Sequence, residues 1–184
     1  PTTGPKAAAD KSVVIVAADM KNGGILGVVN GIEEAAKAMG WKVNVLDSAG
    51  SVEGRTASFG QALTLKPNGI IIAGFDAVEQ KPAMAEAKKA KIPMVAWHAA
   101  PAVGPVDEVG VFANVTTDAM EVSKAAADYA FVDAGGKPGV IIFTDSTYAI
   151  AIAKADKMKA EIQALGGTVL EYVDTPIAET SQRM

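Results

Sequence analysis

Five apolar runs in this chain end on groups that donate and accept hydrogen bonds. They are Asp19-Met20-Lys21-Asn22, Asp47-Ser48, Gly74-Phe75-Asp76, Trp97-His98 and Thr144-Asp145-Ser146. Carboxylates and amides bind hydroxyls, while an aromatic face takes the apolar face of a ring. The set suits a small polyhydroxylated molecule held by hydrogen bonds and stacking. Each residue also has a structural reading. Asp19 and Asp145 could cap helices, Asp47 could end a strand and start a turn, and Phe75 could be core. His98 is the only histidine. Trp97, one position earlier in an extended run, should point away from His98 and pack.

Asn22-Gly23-Gly24-Ile25-Leu26-Gly27 stands one residue short of the dinucleotide fingerprint G-x-G-x-x-G. A strand precedes it, a helix follows, and Asp47 lies 20 residues beyond Gly27, as that fingerprint would have it. Asp19-Met20-Lys21 nevertheless intervenes where the first glycine belongs, and Asp19 puts negative charge where a pyrophosphate would approach. A polar loop entering a helix at Gly24 suits a neutral ligand better, with Gly23 and Gly24 read as turn glycines of positive φ. Covalent chemistry lacks its parts. There is no cysteine, no G-x-S-x-G elbow to place a serine beside His98, and no HExxH or clustered histidines. Neither a catalytic residue, a metal nor a cofactor is expected.

The elements that must carry these groups are legible from hydrophobic period. SVVIVAA (12–18), KVNVLD, GIIIAG and IPMVAW lack the alternation of half-exposed strands, as expected for strands covered by helices on both faces. Between them Ile25, Val28, Val29, Ile32, Ala35, Ala36 and Met39 keep one helical face up to Gly40, and helices follow over 52–65 and 77–90. This is a doubly wound parallel α/β pattern. In such sheets ligands bind beyond the carboxyl ends of the strands, where the polar groups sit.

The pattern recurs. SVVIVAAD with EEAAKAMGWKVNVLDS overlays GVIIFTDS with KAEIQALGGTVLEYVD, at an offset of 127 in the strand and 126 after the helix. Two domains of like architecture are expected, residues 1–115 and 116–184. VFANV passes between them to a helix over 118–133 that carries Met120, Ala127 and Phe131. The second copy has only one βαβ unit, too small to bury a core of its own, so the chain reads as part of a longer protein.

Composition narrows the class. Of 184 residues, 17 are basic and 21 acidic, a net charge of −4, without the basic stripe of a nucleic-acid footprint; KKAK at 88–91 is a solvated helix end. No apolar run approaches the roughly 18 residues of a membrane-crossing helix. PTTGPKAAADK reads as a flexible leader.

SVVIVAADMKNGGILGVVNGIEEAAKAMGWKVNVLDS, LKPNGIIIAG, AKKAKIPMVAWHA and VFANVTTDAMEVSKAAADYA together resemble the periplasmic type I sugar-binding proteins of ABC transporters, the ribose-binding-protein-like family. The resemblance runs through nearly the whole chain in order. It implies two similar α/β domains that close on a ligand about a hinge, the second incomplete here. It places ligand contacts on Asp19, Met20, Asn22, Gly24 and Ile25, on Gly74, Phe75 and Asp76, on His98, near Thr117, and on Asp145, Ser146, Tyr148 and Ile152. Three departures stand out. Gly24 and Ile25 replace aromatics, His98 replaces an aspartate, and Ile152 falls where the family has a ligand-binding arginine. A sugar, a polyol or another small polar molecule is therefore the expected ligand. The implied partner is a membrane permease, the implied location is the periplasm or the cell exterior, and the full-length protein is expected to be a monomer. Two rivals share the fold class: the effector-binding core of a sugar-responsive repressor, and a nucleotide-dependent Rossmann enzyme.

Overall fold

The computed structural model describes residues 4–183; the first three residues of the leader and Met184 lie outside the described residues. Apolar segments, β-branched throughout in VVIV and III, form strands β1 (Ser12–Ala17), β2 (Lys42–Asp47), β3 (Gly69–Ala73), β4 (Met94–Trp97) and β5 (Val111–Val115). They make one sheet in the order β2-β1-β3-β4-β5, and every neighbouring pair is parallel. Helices α1 (Gly23–Met39), α2 (Val52–Thr64) and α3 (Lys81–Lys89) connect the strands. The chain steps outward from β1 to β2, then reverses to β3 and beyond. Right-handed crossovers therefore put α1 on one face and α2 with α3 on the other. The reversal point, between β1 and β3, is where such sheets open a crevice for ligands.

The core lies between the sheet and α2 and α3, with α1 closing part of the other face. Ile15, Val16, Ile70, Ile72, Phe59 and Met84 are inaccessible to solvent, each burial contributing about 1.5–3 kcal/mol. On the α1 side Ile71, Val95 and Phe112 line an open groove of about 430 Å³, and Phe112 is 65% exposed. The leader is partly tied down there, since Trp41 Nε1 donates to the Ala8 carbonyl at 2.7 Å. The helical stretch expected over 77–90 is two pieces, a 3-10 turn at Ala77–Gln80 and then α3. Pro82 in the first turn of α3 has no N–H to continue the preceding turn.

After Val115 the chain leaves the first sheet for α4 (Ala119–Asp133), β6 (Gly139–Thr144), α5 (Ala149–Ala164) and β7 (Thr168–Asp174). Strands β6 and β7 form a separate two-stranded parallel sheet. Helix α4 packs on α5, and the buried Ser123 hydroxyl donates to the Lys154 carbonyl at 2.9 Å. One face of this small sheet is open, with Ile141 51% and Leu170 66% exposed. Leu170 has no partner in the β6–β7 register, which runs Val140↔Val169 and then Ile141↔Glu171. That bulge returns the repeat offset from 126 to 127 at the end of β7, where Asp174 corresponds to Asp47.

Candidate functional site

The two strand-end loops share two bonds from backbone N–H to carboxylate. After β1 the Asp19 carboxylate accepts from Lys21 N at 2.8 Å, and after β6 Asp145 accepts from Thr147 N at 3.0 Å. Asp47 accepts from Met20 N at 3.1 Å, as Asp174 does from Ser146 N at 2.9 Å. Neither Asp19 nor Asp145 caps a helix. Asn22 caps α1, its Oδ1 accepting from Gly24 N and Ile25 N at 2.9 and 3.3 Å, and Tyr148 holds the equivalent position before α5. Gly23 and Gly24 are the first helical residues and do not have positive φ. The turn glycine is Gly74, at φ +85°, where a methyl group would lie 2.7 Å from Ile25 Cδ1.

The five-stranded sheet and the two-stranded sheet, each with its helices, make a first and a second lobe that meet at these loops. Asp19, Asn22, Ala49 and Gly50 face Asp145, Thr147, Tyr148, Pro176 and Ile177 across a crevice of about 220 Å³. On its far side Tyr148 borders a space of about 10 Å³ with Gly74, Phe75, Asp76 and His98. The Tyr148 ring thus divides the interlobe space, and it is 8% exposed and packed into the core of the first lobe. Burial, with the Asp145 and Asp19 carboxylates beyond it, raises the phenol above its ordinary pKa, so it stays neutral and able to donate. The Asp145 oxygens are engaged inside the second lobe, one by Thr147 and the other by Ile177 N at 2.9 Å. Among the described residues no group donates to the second Asp19 oxygen, which lies against Gly50 at the crevice.

Behind Phe75, and lining neither space itself, lies Arg55 of α2, 1% exposed. Its Nε and Nη2 donate to the two Glu79 oxygens at 2.7 and 2.8 Å, and its guanidinium carbon stands 5.7 Å from the Phe75 ring centroid. Burial alone would raise the Glu79 carboxyl, but the hydrogen bonds from Arg55 and Gln80 bring it below its ordinary pKa. Among the described residues four buried side-chain polar atoms have no protein partner: Ser48 Oγ, Arg55 Nη1, Thr144 Oγ1 and Thr175 Oγ1. All belong to strand ends or to the first turn of the helix that follows.

Trp97 and His98 correct the expectation that they point apart. Strand β4 ends at Trp97, and His98 takes φ +49°, so the alternation stops and the rings stack at 4.3 Å between centroids and 22° between planes. The buried Asn114 of β5 holds the following turn by accepting from Ala99 N at 3.1 Å. Burial, and then the charge of Lys154 from the second lobe, lower the His98 pKa, leaving the imidazole neutral near pH 7.

Of the expected contacts, Asp19, Asn22, Asp145 and Tyr148 line the larger space, and Phe75, Asp76 and His98 join Tyr148 at the smaller one. Asp76 also caps the 3-10 turn, accepting from Val78 N at 3.0 Å. The others lie apart. Ile25 is core, 2% exposed and locked against Gly74. Met20 packs on the core, Gly24 lies on the exposed start of α1 beside Trp97, and Thr117 and Ser146 are exposed. Met20, Gly24, Thr117, Ser146 and the half-buried Ile152 line neither space. Sequence reasoning missed Arg55, Glu79, Thr147 and Ile177. A signal for Arg55 existed, because it shares the buried face of α2 with Ser58, Phe59 and Ala62. A charge on an apolar helical face requires a partner.

Among the described residues, no three His, Cys, Asp or Glu side chains cluster as metal ligands, and no helix is long and apolar enough to cross a membrane. No curated protein matches the chain. Solved structures do. An Agrobacterium vitis ABC-transporter solute-binding protein with bound allitol superposes with a TM-score of 0.77 at 19% identity, covering 95% of this chain and 59% of that one. GanP, a glucose-galactose binding protein from Geobacillus stearothermophilus, gives 0.77 at 20%, covering 94% and 62%. A galactofuranose binding protein gives 0.77 at 18%, covering 89% and 56%. The chain thus spans about three fifths of the length of these structures. Residues 13–183 match the periplasmic binding protein domain, and with the parallel α/β fold and its interlobe crevice this places the chain in the periplasmic binding protein family.

Proposed function

We propose that this chain is the ligand-capturing part of a solute-binding protein that takes up a small sugar or polyol for an ABC transporter. The observation that carries this reading is the crevice of about 220 Å³ between the two strand-end loops, with Asp19 and Asn22 on one wall and Thr147 and Tyr148 on the other. A neutral hydroxylated molecule finds there an open carboxylate oxygen, amide and hydroxyl donors, and an aromatic ring. Residues 1–115 and 116–184 act as the two jaws, opening about the Thr116–Thr117–Asp118 connection. The protein works as a monomer in the periplasm or outside the cell and delivers its ligand to a membrane permease without covalent chemistry. The names of the solved relatives, which bind allitol, glucose, galactose or galactofuranose, support the ligand class.

A thermal-shift screen against sugars, polyols and NAD tests the reading. A specific ligand at a hundred times its Kd adds about 2.7 kcal/mol, roughly 5–10 °C for a chain of this size. A shift with a sugar or polyol and none with NAD is expected. A shift with NAD alone would overturn the proposal.

A further inference from the structure

Arg55 holds the one buried guanidinium of the first lobe, and the protein leaves it half used. An arginine carries five N–H donors in a planar fork. Glu79 occupies the edge made by Nε and Nη2, while Nη1 is buried and without a partner. Folded proteins rarely leave a buried donor dry, and a charged one least of all. The surroundings say where its partner comes from. The guanidinium lies over Phe75, and Phe75 lines the interlobe space with Tyr148, Asp76 and His98. The Tyr148 phenol, which lines that space, senses the Arg55 charge together with those of Asp145 and Asp19.

We infer that Arg55 is a ligand-binding residue at the floor of the interlobe cleft, its Nη1 donating to a hydroxyl oxygen of a neutral polyhydroxylated molecule. The inference rests on the solute-binding reading above. Neutrality follows from the charge balance. Glu79 cancels Arg55, Asp19 and Asp145 border the larger space and Asp76 the smaller one, and the Lys154 charge near His98 offsets one of these three carboxylates, so a carboxylate ligand meets net negative charge. A hydroxyl can accept from Arg55 and donate to a carboxylate, which a carboxylate ligand cannot do. Glu79 then has two effects: it makes burial of the arginine tolerable and fixes the plane of the fork, so that Nη1 is presented in one direction.

Calorimetric titration of the whole chain with allitol, D-galactose and L-arabinose, and with D-galactonate as the anionic counterpart, tests this. Arg55→Lys keeps a cation for Glu79 and removes the second arm of the fork. The neutral sugar or polyol bound most tightly by the wild type should bind Arg55→Lys at least about tenfold more weakly, with the ligand-free melting temperature changed by no more than a few degrees. Galactonate should bind the wild type more weakly than galactose. Equal affinity of wild type and Arg55→Lys overturns the role of Arg55 and leaves the solute-binding reading standing. Tighter binding of galactonate overturns the neutral-ligand assignment. No binding of any probe to the wild type overturns the solute-binding reading itself, and this inference with it. If Arg55→Lys fails to fold, the variant Arg55→Met/Glu79→Leu removes the ion pair whole and is read in the same way.

Discussion

Removing the Glu79 charge should cost this chain more than removing its partner. Arg55 is buried to 2% side-chain exposure, whereas Glu79 keeps 24%. In Glu79→Gln the shape is preserved, but the guanidinium loses its counter-charge and cannot reach water. Breaking a fully buried pair this way costs about 3–5 kcal/mol, and water entering at the exposed side of residue 79 reduces that to about 2–3 kcal/mol. The midpoint should then fall by about 5–10 °C, at about 2–4 °C per kcal/mol for a chain of this length. Arg55→Met leaves instead a carboxylate able to hydrate, and the methionine can still pack on Phe75, so the expected loss is about 1 kcal/mol. Arg55→Met/Glu79→Leu should recover most of the Glu79→Gln loss. The pair also has a pH signature. Glu79 titrates below its ordinary 4.5 in the folded chain, so its stabilisation is complete above about pH 4.5 and is lost as pH falls through the lower folded value. Urea unfolding followed by circular dichroism, from pH 3 to pH 7, measures all of this. A Glu79→Gln loss under about 0.5 kcal/mol, or an Arg55→Met loss as large as that of Glu79→Gln, would refute the reasoning.

Two further predictions concern stability. Gly54→Ala, which helix propensity alone would favour by about 1 kcal/mol, should destabilise by at least about 1 kcal/mol, because its methyl would sit 2.1 Å from the Ser48 carbonyl oxygen and overpacking of that kind costs about 1–3 kcal/mol; the same urea titration checks the sign. His98 titrates below its ordinary 6.5 in the folded chain, so the unfolded chain takes up the proton first. Stability should therefore fall as pH drops below about 6.5 towards the lower folded value. The dependence should be weaker in His98→Gln, as melting curves between pH 5 and pH 8 would show, and an unchanged slope would contradict the assignment.

Strands β1 and β3 were legible because central parallel strands are written as uninterrupted β-branched runs, VVIV and III, whereas β2 alternates exposed and half-buried residues, contrary to the expectation of cover on both faces. Asp47 was legible as a turn former for a local reason, since its carboxylate accepts from Ala49 N two residues on. What escaped depends on partners distant in the sequence. Arg55 is tolerable in the core only because Glu79 arrives from another element, 24 residues on. The stacking of His98 on Trp97 needs a left-handed backbone at a non-glycine residue, which no alternation rule anticipates. Ile25 stands among the expected contacts through the family resemblance alone. Its burial comes from the close approach that Gly74 allows, a contact between elements that spacing within one helix does not reveal.

The central claim is that the interlobe crevice binds a neutral sugar or polyol through the open oxygen of Asp19. Calorimetric titration of allitol, D-galactose and L-arabinose into the wild type and Asp19→Asn tests it most directly. The substitution keeps the acceptor for Lys21 N and removes the charge at the crevice. The account predicts saturable one-to-one binding of at least one of these probes to the wild type, weakened about tenfold or more in Asp19→Asn with little change in melting temperature. Absence of binding to the wild type, or equal affinity in the two proteins, would contradict it.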